Sequence, residues 1–426
     1  MLTSAMPKSL TSSAAPSEVL SQFVSQLATI DNSRAASITE VDELLDRTLS
    51  VLENGDFQAR WEVSKLLPQI VSAELITPQL AIDALFDLLD EDMEEELAWF
   101  IVRILGQIEH PDVLAALMET LKSAQSEELR AMAAGVIAAQ GTKAIAPLTN
   151  LLGEAEWRLL AVQALSQIRH SETIAPLLEV VQDADPQIRA AAIEALSSFH
   201  DVRIPPVLLN ALGDIAAPVR REAIVGLGFH QQLADAIVPR LQACLYDFNL
   251  EVCRQAAIAL GRLQSPAAAD ALFALLRSPH TPIPLQVETV RALNWIQTKA
   301  TIEVLQQHLK PSADESVIQE ILLALGRIEP DDLKLIAAQI LAESIAALPS
   351  STLKQTAALS LGQLEQPDSI EPLLNLLADP DESVRLHAIA GLKQIESAFD
   401  RLQTLAATEN LPNQWRDAIA TALAEW

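Results

Sequence analysis

A two-helix pattern that recurs every 28 to 38 residues is the feature that most constrains the fold of this chain. Its clearest copy, Ile370–Ile395, reads IEPLLNLLADPDESVRLHAIAGLKQI, with apolar residues at helical spacing on both sides of a polar break. Asp379 and Pro380 end the first helix, because proline cannot continue it, and residues 381–383 supply the turn and the cap of the second. One such hairpin cannot bury its own apolar face, so it has to stack on neighbours.

A template built on this copy finds the same hairpin along most of the chain. With Arg385 as position zero, the template has an apolar residue at minus one, a small residue at plus three and a leucine at plus seven. Twelve positions zero result, at Arg60, Ala98, Arg130, Arg158, Arg189, Arg220, Cys253, Gln286, Ile318, Lys354, Arg385 and Arg416. Position plus seven is apolar in all twelve hairpins, which indicates a stacked array of repeats.

This pattern resembles the HEAT-repeat family, and its short D-x5-R form with an AL or ALG ending resembles the phycobilisome-lyase (bilin lyase) type of HEAT repeat of cyanobacteria. The resemblance covers roughly residues 40–426. It implies an all-α fold, a right-handed α-solenoid of about twelve HEAT-like helix hairpins. The complete aspartate and arginine pairs are Asp183 with Arg189, Asp214 with Arg220, and Asp379 with Arg385. We expect these side chains to form a structural ladder that bonds along the stack and orients adjacent turns.

The chain divides into three segments by composition and pattern. Residues 1–17 are rich in Ser, Thr and Ala and lack the apolar core of a secretory signal, which predicts a disordered tail. Residues 18–40 predict an amphipathic helix that caps the first repeat, and residues 41–426 predict the HEAT-like solenoid. Each repeat of a solenoid touches only its neighbours, so this length is compatible with one elongated domain.

The net charge of -28 limits the classes of partner. Phosphate backbones and anionic membrane surfaces are bound by clusters of Lys and Arg, so neither is expected here. No apolar run approaches the roughly 20 residues of a spanning helix. We therefore expect a cytoplasmic protein without a transmembrane segment, whose partner is another protein.

An acidic run lies at the turn of the second hairpin. Its members are Asp83, Asp87, Asp90, Glu91, Asp92, Glu94, Glu95 and Glu96. One interpretation is a solvated loop with acids at a helix N-terminus, where negative charge is favourable. The other is a docking patch for a basic partner or a cation, although the spacing is not that of a calcium-binding loop.

Two cysteines are the candidate cofactor or metal ligands. Cys244 lies late in a first helix and Cys253 stands at position zero of the next, so both are expected near one turn. Two thiolates are too few for a closed zinc site or an iron–sulfur cluster, which take four ligands. The alternatives are a pair of buried small side chains and a site completed by other residues, with the Cys253 pKa lowered by its helix N-terminus.

Three functions remain open from the sequence. The first is a non-catalytic scaffold or adaptor that binds a protein in its concave groove, in phycobilisome or photosynthetic-protein maturation, and needs no cofactor. The family resemblance also implies a bilin lyase or lyase subunit, which attaches open-chain tetrapyrroles to phycobiliprotein cysteines. No catalytic residue is assigned, and 4% aromatic residues with one Tyr disfavour a pigment-stacking pocket. The third is an iron–sulfur scaffold using Cys244 and Cys253.

The partner-binding surface is expected on the second helices. At 100° per residue, positions plus one and plus five point away from the core and should be solvated. Apolar side chains occupy nine of them, namely Trp61, Trp99, Leu159, Val225, Ile258, Val287, Leu323, Leu359 and Leu386. They predict a continuous apolar stripe with the two tryptophans as anchors and the acidic turn as a steering rim. The alternative is that superhelical curvature buries some of them.

The segment from Arg277 to Leu285, RSPHTPIPL, contains three prolines. Because proline is excluded from helix interiors, we expect an extended loop over this segment.

Overall fold

The computed structural model describes residues 38–89, 94–310, 312–407 and 413–426. Within these ranges the chain forms twenty-four α-helices and no β-strand. They pair into twelve hairpins, so the all-α solenoid and the number of repeats are confirmed. We call the odd-numbered helices first helices and the even-numbered helices second helices. The contacts divide the chain into two compact units, one ending at Phe199 and one beginning at His200.

The first unit contains five hairpins. Its helices are α1 (Ile38–Asn54), α2 (Phe57–Ser72), α3 (Pro78–Asp87), α4 (Glu95–Leu105), α5 (Pro111–Ser123), α6 (Glu127–Ala139), α7 (Ile145–Leu151), α8 (Arg158–Gln167), α9 (Ile174–Glu179) and α10 (Pro186–Ser197). The predicted tail 1–17 and all but the last three residues of the predicted capping segment 18–40 lie outside the described ranges.

The second unit contains seven hairpins. Its helices are α11 (Ile204–Ala211), α12 (Ala217–Leu227), α13 (Ala234–Cys244), α14 (Leu250–Leu263), α15 (Pro266–Arg277), α16 (Ile283–Leu293), α17 (Lys299–His308), α18 (Glu315–Gly326), α19 (Asp331–Ser344), α20 (Ser351–Gln363), α21 (Ile370–Leu376), α22 (Glu382–Leu392), α23 (Ala398–Ala406) and α24 (Asn413–Ala424).

Short polar side chains start many of the helices. Asp56, Ser126, Asp185, Asn249 and Asp381 each accept a hydrogen bond from a backbone N–H in the first turn of a second helix. These bonds satisfy donors that have no partner within the helix. The turn of each of these hairpins is therefore fixed by its own sequence.

The leucine at position plus seven is the centre of the core. It is fully buried in eleven hairpins, from Leu67 to Leu392, and half-buried only at Leu423 in the terminal helix. Stacking of one repeat on the next occurs mainly between second helices. Glycine allows the closest approaches, since a Cβ on Gly326 would lie 2.6 Å from the Ser360 Cβ. At that distance no larger residue fits without movement of the backbone.

Glutamines form a second link between repeats. Gln231, Gln264 and Gln297 lie 33 residues apart. Their side-chain amides donate to the carbonyls of Arg262, Trp295 and Arg327 in the next hairpin, at 2.8, 3.1 and 3.1 Å. These carbonyls lie at or just beyond helix C-termini, where backbone acceptors lack intrahelical partners.

The extended loop predicted for residues 277–285 is shorter than expected. Helix α15 continues to Arg277 and α16 begins at Ile283, so only residues 278–282 connect them. Pro282 is the N-cap, and Pro284 lies in the first turn of α16. Proline is tolerated there because the N–H that it lacks has no partner in the first turn.

No described helix combines the length and the apolar character that crossing a membrane requires.

Candidate functional site

An ion-pair ladder joins the turns of neighbouring hairpins. In each rung, a cation at position zero of one hairpin pairs with the turn aspartate of the next. The rungs are Arg158 Nη1 to Asp183 Oδ2 at 2.6 Å, Arg220 Nη2 to Asp247 Oδ1 at 2.7 Å, and Lys354 Nζ to Asp379 Oδ2 at 2.8 Å. All three carboxylates are largely buried, so the pairing offsets their loss of hydration.

The arginine six residues after each aspartate has a different role. Arg189, Arg220 and Arg385 donate through Nη1 to the main-chain carbonyls of Asp183, Asp214 and Asp379, at 2.8, 2.8 and 2.9 Å. Arginine at position zero thus satisfies carbonyls of its own turn. The D-x5-R spacing therefore reports a main-chain contact within the hairpin rather than a side-chain ion pair within it.

The same turns shift the pKa values of two ladder carboxyls. Burial would raise the pKa of Asp183, but the hydrogen bond from the N–H of Asp185 and the ion pair with Arg158 outweigh it, and the pKa is lowered. For Asp247, burial is likewise outweighed by Arg220 and by the N–H of Asn249. Both groups are therefore held as carboxylates.

Cys253 replaces arginine in this arrangement. Its thiol donates to the main-chain carbonyl of Asp247 at 3.1 Å, the contact that arginine makes in other hairpins. Cys244 is also a buried free thiol and donates to the carbonyl of Arg240 at 3.4 Å. Both cysteines therefore have structural roles in the seventh hairpin.

The expectation that the helix N-terminus lowers the Cys253 pKa is wrong. Burial raises the pKa of the Cys253 thiol, and burial also raises that of Cys244 to about 11. Metal binding requires thiolates. In addition, no group of three or more His, Cys, Asp or Glu side chains that could hold a metal occurs among the described residues. The residues present at Cys244 and Cys253 therefore do not fit an iron–sulfur cluster.

A cavity of about 330 Å³ lies beside Cys253, between the turns of the seventh and eighth hairpins. Tyr246, Phe248 and Pro282 contribute to its lining, and the Phe248 ring is fully exposed. The sequence analysis did not single out these residues. An apolar residue directly after the turn aspartate, as in Phe248, is the signal that identifies them.

The nine apolar residues predicted to bind a partner do not form a fully solvated stripe. Eight are half-buried, and only Leu386 is exposed, to 50%. The close packing of adjacent second helices covers part of each side chain. This is a correction to the expected exposure of Trp61, Trp99, Leu159, Val225, Ile258, Val287, Leu323 and Leu359.

In the first unit, arginine joins the two predicted anchors. The Arg103 guanidinium lies 4.7 Å from the ring centroid of Trp61 and 5.6 Å from that of Trp99. Phe57 stacks on Trp61 at 6.3 Å and meets Phe100 edge to face at 5.4 Å. Cation–π contact fixes the indoles at the surface of α2 and α4.

The acidic turn beside this cluster is tied to the stack. Arg60, whose side chain is 7% exposed, pairs with Glu94 at 2.8 Å and Glu96 at 2.9 Å. Glu95 accepts a hydrogen bond from Ser126 of the next hairpin. The charges of these three glutamates therefore serve packing contacts first, which weakens their interpretation as a steering rim. Asp90, Glu91 and Asp92 lie outside the described residues.

The second unit carries a similar arrangement at position plus nine. That position alternates between aromatic rings and arginines in four successive hairpins, namely Phe229, Arg262, Trp295 and Arg327. The Arg262 guanidinium lies 5.0 Å from the Phe229 ring centroid and 5.7 Å from the Trp295 centroid. The two rings are 58% and 43% exposed. The spacing of 33 residues between Phe229 and Trp295 through Arg262 was visible in the sequence, but the template ended at plus seven.

Arginines and glutamates alternate across the same second helices. Arg254 on α14 reaches Glu288 on α16 at 3.2 Å, and Arg291 on α16 reaches Glu320 on α18 at 2.9 Å. Both glutamate side chains are only 9% exposed, whereas the arginines are 37% and 50% exposed. The negative charges lie beneath and the positive charges face the solvent.

Stacked helical hairpins without strands define this chain, over its described residues, as an α-solenoid protein. Models of HEAT repeats match residues 82–160, 145–227, 205–287 and 338–424. These matches cover more than half of the chain, so the chain belongs to the HEAT-repeat family. None of the curated proteins compared with it matches significantly.

Solved structures with the same fold include two karyopherins. Kap95p, in a structure with RanGDP, is 12% identical over 96% of this chain and 66% of its own, with a TM-score of 0.60. Kap121p bound to Pho4p is 14% identical over 96% of this chain and 53% of its own, with a TM-score of 0.57. The CpcE–CpcF phycocyanin lyase of Nostoc sp. PCC7120 is 20% identical over 59% of this chain and 94% of its own, with a TM-score of 0.34. At these identities the likeness shows the fold alone.

Proposed function

We propose that this chain is a non-catalytic scaffold or adaptor that binds a protein partner along the exposed face of its second helices. One observation carries the proposal: each compact unit presents an arginine held between two aromatic rings on that face. The clusters are Trp61–Arg103–Trp99 in the first unit and Phe229–Arg262–Trp295 in the second.

The chemistry of these clusters is that of protein interfaces. Tryptophan, tyrosine and arginine dominate interface hot spots because they combine large apolar area with directional donors. Packing against an arginine restrains each ring before a partner arrives, so less side-chain entropy is lost on binding. The half-buried aliphatic residues Val225, Ile258 and Val287 supply apolar surface beside the second cluster.

The fold is compatible with this role. The structures of Kap95p and Kap121p contain protein partners, and both share the solenoid fold with TM-scores above 0.5. Which protein binds here, and whether it belongs to phycobilisome or photosynthetic-protein maturation, does not follow from that likeness. The proposal rests on the two clusters of this chain.

Substitution of the clusters tests the proposal. Partner proteins recovered from the native cell by the tagged full chain are quantified for the parent, for Trp61→Ala with Trp99→Ala, and for Phe229→Ala with Trp295→Ala. The matched controls are Leu80→Ala on α3 and Leu335→Ala on α19, which remove exposed apolar side chains from first helices of the same units. We expect the cluster variants to lose the partner and the controls to keep it.

Each variant is first shown to be folded by its helical circular dichroism. Because the two tryptophans are half-buried, Trp61→Phe with Trp99→Phe serves as a second variant that keeps an aromatic ring at each position. Partner recovery at the parent level from folded cluster variants would contradict the proposal.

The sequence resemblance leaves bilin attachment as an alternative. Incubating the purified chain with a bilin and a phycobiliprotein acceptor separates the two functions, because attachment gives a coloured covalent adduct. A scaffold alone gives none.

A further inference from the structure

The exposed face of the second helices in the second unit has an accessible charge opposite to that of the protein. Its arginines are Arg221, Arg254 and Arg291, which lie within four repeats, and the two at position plus nine, Arg262 and Arg327. The protein as a whole has a net charge of -28. A basic face on so acidic a chain calls for a specific explanation.

The acids of this face are placed to orient the arginines. Glu222, Glu288 and Glu320 occupy position plus two in three hairpins and are 14%, 9% and 9% exposed. Their carboxylates hold Arg221, Arg254 and Arg291 from below. A guanidinium has five N–H donors, so one held by a single carboxylate can still pair with a carboxylate from outside.

Two arginines of the face, Arg262 and Arg327, lie outside this network. Arg262 is held by Phe229 and Trp295 through its planar face, which leaves its N–H edge available. Arg327 is exposed just beyond the end of α18. Stacking lowers the freedom of the Arg262 side chain without using its donors.

Local charge decides recognition at such a face. At physiological ionic strength the screening length is about 8 Å, so acids elsewhere on the chain contribute little at the surface of α14 and α16. Carboxylates pair with guanidinium groups in fixed, bidentate geometry, and the rings beside Arg262 favour apolar neighbours. A basic partner segment would meet five outward arginines and be repelled.

We propose that this face, on α12, α14, α16 and α18, binds an acidic segment of the protein partner in which carboxylates alternate with apolar side chains. The carboxylates pair with Arg262, Arg327 and the outward edge of Arg291, and the apolar side chains pack on Phe229 and Trp295. This inference names the partner chemistry for the proposed function and rests on it.

Selection of short random peptides on the full chain, followed by fluorescence anisotropy of the selected peptides, tests the inference. The test variant is Arg262→Glu with Arg327→Glu, because neither arginine anchors a buried glutamate. The matched control is Arg277→Glu with Lys334→Glu, which makes the same charge change on first helices α15 and α19. We expect acidic peptides with aromatic or aliphatic residues, weakened by added salt and by about tenfold or more in the test variant, which corresponds to about 1.4 kcal/mol.

Several results would overturn the inference. These are selection of neutral or basic peptides, selection of none, equal affinity for the parent and the test variant, or equal weakening by the control. Single-stranded oligothymidine and vesicles with anionic lipid are measured in parallel, and arginine-dependent binding of either in place of the peptides also overturns it.

The proposed function and this inference fail separately. If the cluster substitutions abolish recovery of a partner whose interacting segment is not acidic, the function stands and the inference falls. If no variant affects partner recovery, the function itself falls.

Discussion

Arg220 of the sixth hairpin grips Asp247 of the seventh with two parallel hydrogen bonds, Nε to Oδ2 at 2.8 Å and Nη2 to Oδ1 at 2.7 Å. The same guanidinium donates through Nη1 to the carbonyl of Asp214 in its own turn. One side chain therefore closes its own hairpin and joins it to the next. Bidentate geometry is specific to arginine, so lysine cannot reproduce the contact.

We expect Arg220→Ala to lower the free energy of unfolding by about 1 to 3 kcal/mol, because it leaves the largely buried Asp247 carboxylate unpaired. Urea denaturation followed by circular dichroism measures the change. Arg203→Ala is the control, since Arg203 pairs with Asp201 at the surface and such pairs contribute little. Equal stability of the Arg220 variant and the parent would show that the ladder is merely solvated.

Acid should weaken the ladder in a defined direction. The folded-state pKa values of Asp183 and Asp247 are lowered, so their contribution to stability is present above the unfolded value of about 3.9 and is lost as pH falls through the folded value. We expect Asp247→Asn to be less stable than the parent at neutral pH, and the difference to shrink below about pH 4. Denaturation at a series of pH values measures it. A difference that stays constant with pH would rule out this linkage.

The hairpins, their number and their buried leucines could be predicted because helical periodicity depends on local sequence. The partners of the turn aspartates could not. The D-x5-R spacing suggested that Asp183 pairs within its hairpin, whereas its carboxylate meets Arg158, 25 residues earlier. That pairing depends on how one repeat is seated on the next, which no single hairpin encodes.

The exposure of the candidate site was also beyond the sequence. Helix geometry placed Val287 and Leu323 away from the core correctly, but how much of each is covered depends on the separation of neighbouring second helices. That separation is set by small residues such as Gly326. The aromatic and arginine alternation from Phe229 to Arg327 could have been found, because it has the period of the repeat.

Two glycines in second helices should respond to substitution with opposite signs. A Cβ on Gly326 would lie 2.6 Å from the Ser360 Cβ, so Gly326→Ala should destabilise by about 1 to 3 kcal/mol through overpacking. Inside α6, the nearest atom to a Cβ on Gly135 is 3.9 Å away, so Gly135→Ala should stabilise by about 0.5 to 1 kcal/mol. Thermal and urea unfolding of both variants decide this, and shifts of the same sign would refute the packing argument.

The thiols should be unreactive while the chain is folded. Burial raises the pKa of Cys244 to about 11 and also raises that of Cys253, so few thiolates exist near neutral pH. We expect an aromatic disulfide reagent to modify both cysteines rapidly in denaturant and slowly in its absence. Rapid reaction of the folded chain would contradict the structural role of these residues.

The raised thiol pKa values also predict alkaline destabilisation. A thiol whose folded pKa is raised contributes stability below its unfolded value of about 8.5, and this contribution is lost as pH rises towards the folded value. Cys244→Ala removes that group. We expect the variant to lose less stability than the parent between about pH 8.5 and pH 11. A parent and a variant with the same alkaline pH dependence would argue against the burial of this thiol.

The position of the binding face is tested most directly by hydroxyl-radical footprinting of the chain with and without its recovered partner. Side chains on second helices, above all Trp61, Trp99, Phe229 and Trp295, should become protected in the complex. Leu80 on α3 and Leu335 on α19, which are exposed on first helices, should be oxidised equally in both states. Protection of the first-helix residues, with the four aromatic residues oxidised as before, would contradict the account.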